Sequence, residues 1–102
     1  MSALPPVNGK KWMSDSRQYL AIEYDDTFLV YFRPSGETHF LNFLSYGLVE
    51  AVSSTPLTTA ELLSKIRTDF SLTAEELPET LVASTLDELD RAGLVSALDD
   101  GQ

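Results

Sequence analysis

Thr27–Val52, TFLVYFRPSGETHFLNFLSYGLVEAV, decides how the chain folds. It holds an alternating segment, a Pro34-Ser35-Gly36 turn, a second short alternating segment closing on Leu41-Asn42, and then a helical pattern. Pro34 presets φ for a turn, and Gly36 accepts the positive φ that such turns require. Asn42 is a residue type whose side-chain oxygen accepts bonds from the orphan N–H groups at a helix start. The stretch reads as a β-hairpin that runs directly into a helix.

Working outward toward the N-terminus, Tyr19–Tyr24 alternates with period two and predicts a strand whose half-buried side carries Leu20, Ile22 and Tyr24. Asp25-Asp26 supplies the turn to the next strand, because aspartate bonds its own downstream backbone and tolerates left-handed φ. In the strand Thr27 to Arg33, Phe28, Val30 and Phe32 oppose Leu29, Tyr31 and Arg33, so both faces carry large groups. Residues 1–11 lack periodicity and read as a flexible lead-in, with Lys10-Lys11 as a solvated tail. Trp12, the only tryptophan, is expected to pack over one edge of the core.

Toward the C-terminus, Leu44, Leu48, Val49 and Val52 recur at helical spacing until Ser53-Ser54-Thr55-Pro56 ends the first helix. Thr58-Thr59-Ala60-Glu61 fits a capping box and starts a second helix, with Leu62, Leu63, Ile66 and Phe70 as its core stripe. A third helix starts at Thr73 or, as favoured here, at Pro78, since proline suits a first turn and breaks an interior one. Val82, Leu86 and Leu89 are its buried line, with Leu81, Thr85 and Ala92 at the margin. Glu75, Glu76 and Glu79 complement its positive end. Gly93 terminates it. Leu94-Val95 adds a short strand or clips onto the core, and 99–102 is an acidic tail. Three strands followed by three helices, without βαβ alternation, predict an α+β fold with a three-stranded antiparallel sheet.

With 102 residues, 43% apolar and 23% charged, the chain is expected to be one small globular domain over residues 12–98. Sixteen acidic against seven basic residues give a formal charge of −9, which opposes a phosphate backbone and makes nucleic acid a poor partner. The absence of cysteine excludes disulfides, thiol nucleophiles and thiolate metal sites. No apolar run approaches a membrane span and no secretory signal pattern opens the chain, so a soluble cytoplasmic protein is expected.

Catalytic patterns are weak. His39 is the only histidine, no Gly-x-Ser-x-Gly elbow accompanies it, and it reads as a partly exposed strand residue with one ring nitrogen satisfied. Ser35-Gly36-Glu37 lacks the phosphate-loop pattern, and Glu37 opposes an anion. No metal, cofactor or catalytic residue is expected. What remains is a surface for another chain: the short strand after Gly36 sits at a sheet edge, where an extended peptide can add a strand.

Ser35-Gly36-Glu37-Thr38-His39-Phe40-Leu41-Asn42, Thr58-Thr59-Ala60-Glu61-Leu62 and Leu86-Asp87-Glu88-Leu89-Asp90-Arg91-Ala92-Gly93-Leu94-Val95 resemble PqqD-like proteins. More narrowly, they look like the branch found in systems with a kinase related to HPr kinase. The resemblance implies a small winged-helix-like domain acting as a peptide chaperone. Such a domain binds the leader of a ribosomally made precursor and presents it to a modifying or kinase-related enzyme. In that family the leader pairs with the third strand and lies against the third helix. Carried onto this chain, the strand is Glu37, Thr38, His39, Phe40 and Leu41, and the helix positions placed by geometry are Leu81, Thr85 and Glu88. Two other readings stay open: a winged-helix regulator that binds DNA, and a structural subunit of an enzyme complex. The chain could act as a monomer or a homodimer.

Overall fold

The computed structural model describes residues 10–99. The lead-in expected over residues 1–9 and the tail over 100–102 lie outside the described residues. In chain order the strands and helices are β1 (Lys10–Met13), β2 (Tyr19–Tyr24), β3 (Thr27–Phe32), β4 (Glu37–Leu41), α1 (Phe43–Ser54), α2 (Thr59–Asp69), α3 (Glu79–Arg91) and β5 (Ser96–Asp99). The expected α+β fold is present: β2, β3 and β4 form a three-stranded antiparallel sheet in sequence order, and three helices follow it.

Local chemistry fixes the junctions. Asp25 and Asp26, at φ 51° and 66°, close the two-residue turn between the paired Tyr24 and Thr27. Both residues sit in the left-handed region that type I′ hairpin turns require. Gly36 takes φ 75° at the second turn, where its N–H donates to the Phe32 carbonyl over 2.8 Å. The Asn42 side chain caps α1 by accepting from the Ser45 N–H at 2.8 Å. At α2 the capping box is complete: the Glu61 N–H donates to Thr58 Oγ1 at 3.1 Å, and the Thr58 N–H donates to Glu61 Oε1 at 2.9 Å. A similar reciprocal pair joins Thr73 and Glu76, at 2.9 and 3.1 Å, but it caps a single turn that stops before Pro78. Glu76 therefore serves that turn rather than the start of α3, which begins after Pro78 as expected. Leu77, at the end of the turn, is buried, and its carbonyl accepts from Arg67 Nε and Nη2 at 3.0 and 2.8 Å. At the far end of α3 the Gly93 N–H donates to the Asp90 carbonyl and the Leu94 N–H to the Leu89 carbonyl, with Gly93 at φ 85°. That is the Schellman pattern, which turns the chain sharply back and drops Leu94 and Val95 into the core.

Several expectations are corrected. Lys10 and Lys11 are not a tail: they belong to β1, which pairs antiparallel with β5 so that Lys10 faces Asp99 and Trp12 faces Ala97. Asp99 is thus a strand residue; of the two expectations for Leu94-Val95 the clip onto the core is met, both being buried, and the last strand starts after them at Ser96. Trp12 goes deeper than an edge. It is buried, exchanges backbone bonds with Leu57, and donates its indole N–H to Thr59 Oγ1 at 3.0 Å. In β2 the buried side is the one bearing Tyr19 and Ala21, while Leu20, Ile22 and Tyr24 face outward. Phe70, expected in the α2 stripe, is largely exposed at the helix end, although Leu62 and Ile66 are buried and Leu63 packs against them.

The core is continuous. Val30 of the central strand, Leu48, Val49 and Val52 of α1, Leu62 and Ile66 of α2, and Val82, Leu86 and Leu89 of α3 meet in it. Ser14 ties the β1 exit to α1 by donating its hydroxyl to the Val49 carbonyl at 2.7 Å.

Tyr19 sits at this seam, and its hydroxyl pKa is raised above 10.0, first by burial, with Glu50 and Asp15 adding repulsion against hydrogen bonds from Ser53 and Ser14. Because the folded value lies above the unfolded one, the stability Tyr19 contributes is complete below about pH 10 and is lost as pH rises through the folded value. Urea denaturation across the alkaline range should show that decline, and Tyr19→Phe should make it shallower.

Candidate functional site

The strand singled out by the sequence is an edge strand. Among the described residues β4 has one strand neighbour, β3, with Glu37 opposite Phe32, Thr38 opposite Tyr31, His39 opposite Val30, Phe40 opposite Leu29 and Leu41 opposite Phe28. Gly36 and Asn42 bound it on either side, which keeps it to five residues. Its side chains alternate as a strand at a core boundary must. His39 and Leu41 point inward, Leu41 into the core, whereas Thr38 is exposed and Phe40 is 74% exposed.

His39 Nε2 is buried without a hydrogen-bond partner, and the Glu37 carboxylate oxygen Oε1 lies 3.6 Å away, beyond hydrogen-bond range but close enough to pair with a protonated ring. His39 is half-buried, in line with the expected partial exposure. A buried polar nitrogen beside an open strand edge is a group that an incoming ligand can satisfy.

The structure treats the three helix positions differently. Leu81 is exposed on the first turn of α3, and Glu88 is exposed two turns later, about 10 Å along the axis. Thr85 is buried rather than marginal, and its hydroxyl donates to the Leu81 carbonyl at 2.7 Å. It lies within the Val82, Leu86 and Leu89 line and presents nothing to a ligand. α3 packs chiefly on α1 and α2, and α1 is the helix packed against β4. Just past the C-terminal end of α3 the chain touches the sheet, where a Cβ at Gly93 would stand 3.5 Å from the Phe32 ring. The five strand positions therefore form one continuous edge, while Leu81 and Glu88 lie on a separate element.

A second feature went unnoticed in the sequence. Phe28 stacks on Tyr46 at 4.2 Å and meets Phe43 edge-on at 5.5 Å. These rings, with Phe70, Glu23 and Glu50, line an open cleft of about 460 Å³ between β2 and the start of α1. Burial raises the Tyr46 hydroxyl pKa, with Glu50 and Tyr19 adding to it. The rings belong to separate segments, Phe28 on β3, Phe43 and Tyr46 on α1 and Phe70 just past the end of α2, so no local motif announces them.

Among the described residues no three His, Cys, Asp or Glu side chains are grouped to hold a metal ion, and no helix is long and apolar enough to cross a membrane. Fold and edge together define a small α+β domain with an open antiparallel sheet. No family model matches the chain, and comparison with curated proteins and with solved structures finds no match.

Proposed function

We propose that the chain is a non-enzymatic peptide-binding module. It takes up the leader of a ribosomally made precursor as an added strand on β4 and presents it to a modifying or kinase-like enzyme. The observation that carries this reading is the terminal position of Glu37–Leu41 in the β2-β3-β4 sheet, which among the described residues leaves one row of backbone N–H and C=O groups without a strand neighbour. Strand addition supplies affinity through those groups, and alternate side chains supply selectivity. On the outer side an arriving residue meets the exposed Phe40 ring, while the inward positions carry half-buried His39 and buried Leu41. The resemblance of Gly36-Glu37-Thr38-His39-Phe40-Leu41-Asn42 to PqqD-like proteins supports the same reading and names the leader as the peptide.

The test uses Phe40, whose exposure lets it change without disturbing the core. Synthetic peptides covering the short open reading frames beside the gene are titrated against the wild type, Phe40→Pro and Phe40→Ala by calorimetry. Proline removes an edge N–H, so Phe40→Pro should lose at least about tenfold in affinity while Phe40→Ala loses less. A Phe40→Pro protein with a native circular dichroism spectrum and unchanged affinity would rule out edge pairing.

A further inference from the structure

The outward face of the three-stranded sheet is the least expected surface of the molecule. The register places Leu20 beside Tyr31, Ile22 beside Leu29, and Leu29 beside Phe40 across adjacent strands. Tyr24 shares the parity of Leu20 and Ile22 at the hairpin end. Leu20, Ile22, Tyr24, Tyr31 and Phe40 are 52, 58, 70, 42 and 74% exposed. We infer that this face is the contact between two copies of the chain, packed sheet against sheet.

Area supports a protein-sized partner. At the exposures given, these five side chains leave on the order of 700 Å² open, above the 300–600 Å² of a typical monomer's largest patch and close to the ~800 Å² per partner of a stable interface.

Charge supports a second copy over a basic or acidic partner. The charged residues within these strands, Glu23 and Glu37, have the opposite parity: Glu23 is paired with Phe28 and Glu37 with Phe32, both on the helix-covered side. The outward strand positions carry no formal charge in a chain whose total is −9. A charged partner finds no countercharge there, whereas a second copy offers the same neutral surface and brings no like charges into contact.

The rim adds to this. The Asp25-Asp26 turn lies at one end of the face, and Arg33 follows the other end of β3. A two-fold axis in the interface plane and perpendicular to the strands sets Arg33 of each copy opposite the acidic turn of the other. The contact is then isologous, with the two sheets about 10 Å apart and their strands aligned within about 30°. The backbone edge of β4 stays at the side of such a sandwich, so dimerisation does not depend on the peptide-binding reading, and the Phe40 ring is the one side chain the two contacts share.

Sedimentation equilibrium on the 102-residue chain from low micromolar to about 100 μM tests this, with Ile22→Lys as the variant. Ile22 is exposed in one copy, so a lysine there leaves the fold intact but would bury two ammonium groups at the contact. The wild type should be a concentration-dependent dimer, and Ile22→Lys should raise its dissociation constant by at least about a hundredfold with an unchanged circular dichroism spectrum. If Ile22→Lys does not fold, Tyr24→Ser is read in the same way. A wild type that stays monomeric to about 100 μM, whether or not this face then captures a different protein, overturns the inference. A dimer indifferent to the substitution overturns it as well.

Discussion

Replacing Trp12 by alanine is expected to lower folding stability by about 3–5 kcal/mol, the range for removing a buried large aromatic. Trp12 lies in the first strand of the described chain, where sequence patterning sees only the end of a basic, aperiodic segment. Its backbone bridges Leu57 in both directions, at 2.7 and 3.1 Å, and its indole donates to Thr59 beside the α2 cap. The ring therefore joins the β1-β5 pair to the helical half, and its loss leaves a void at that joint. Trp12→Phe keeps most of the apolar area and loses the indole donor, so it should cost less, by an amount nearer 1 kcal/mol for the missing bond. Urea denaturation followed by far-UV circular dichroism checks both variants, since Trp12 is also the only tryptophan reporter. A loss below about 1 kcal/mol for Trp12→Ala would mean that the β1-β5 pair is peripheral to the cooperative unit.

What the sequence shows and what it hides follow from the range of the interactions. The two hairpin turns, the Asn42 cap, the Thr58-Glu61 box and the Gly93 stop are each set within about five residues, and each forms where the residue types place it. The β4 edge was legible for the same reason, because Gly36 and Asn42 delimit it. The pairing of β1 with β5 joins positions nearly a whole chain apart, and neither four-residue strand carries an alternation that announces a partner. Thr85 was misplaced because spacing alone puts it on the border of the Val82-Leu86-Leu89 line. Its hydroxyl then finds the Leu81 carbonyl, which lets a polar residue sit inside. The β2 error has another cause. Leu20, Ile22 and Tyr24 are more apolar than Tyr19, Ala21 and Glu23, so alternation points to the wrong side. Which side is buried is decided by where the helices lie, and here it is buried Tyr19 and half-buried Ala21 that join the core.

That reversal of faces yields the other large effect. Val30 on the central strand is wholly buried, paired with Ala21 on one side and His39 on the other. Val30→Asp places a carboxylate among Leu, Ile and Val side chains, with the half-buried His39 ring as the one titratable neighbour across the strand pair, and the expected loss is about 4 kcal/mol or more. Set against the roughly 5–15 kcal/mol by which domains are stable, that leaves the chain near or beyond its unfolding midpoint in water. Leu20→Asp introduces the same charge on the adjacent strand but on the outward face, where the carboxylate remains hydrated, and it should cost within about 0.5 kcal/mol in dilute solution. The two substitutions put the same charge on opposite sides of one sheet, so urea midpoints for the pair read the face assignment. Were Leu20, Ile22 and Tyr24 the core face, as their hydrophobicity suggests, the order of the two losses would invert. The apolar surface proposed as a dimer contact would then be the interior of the protein.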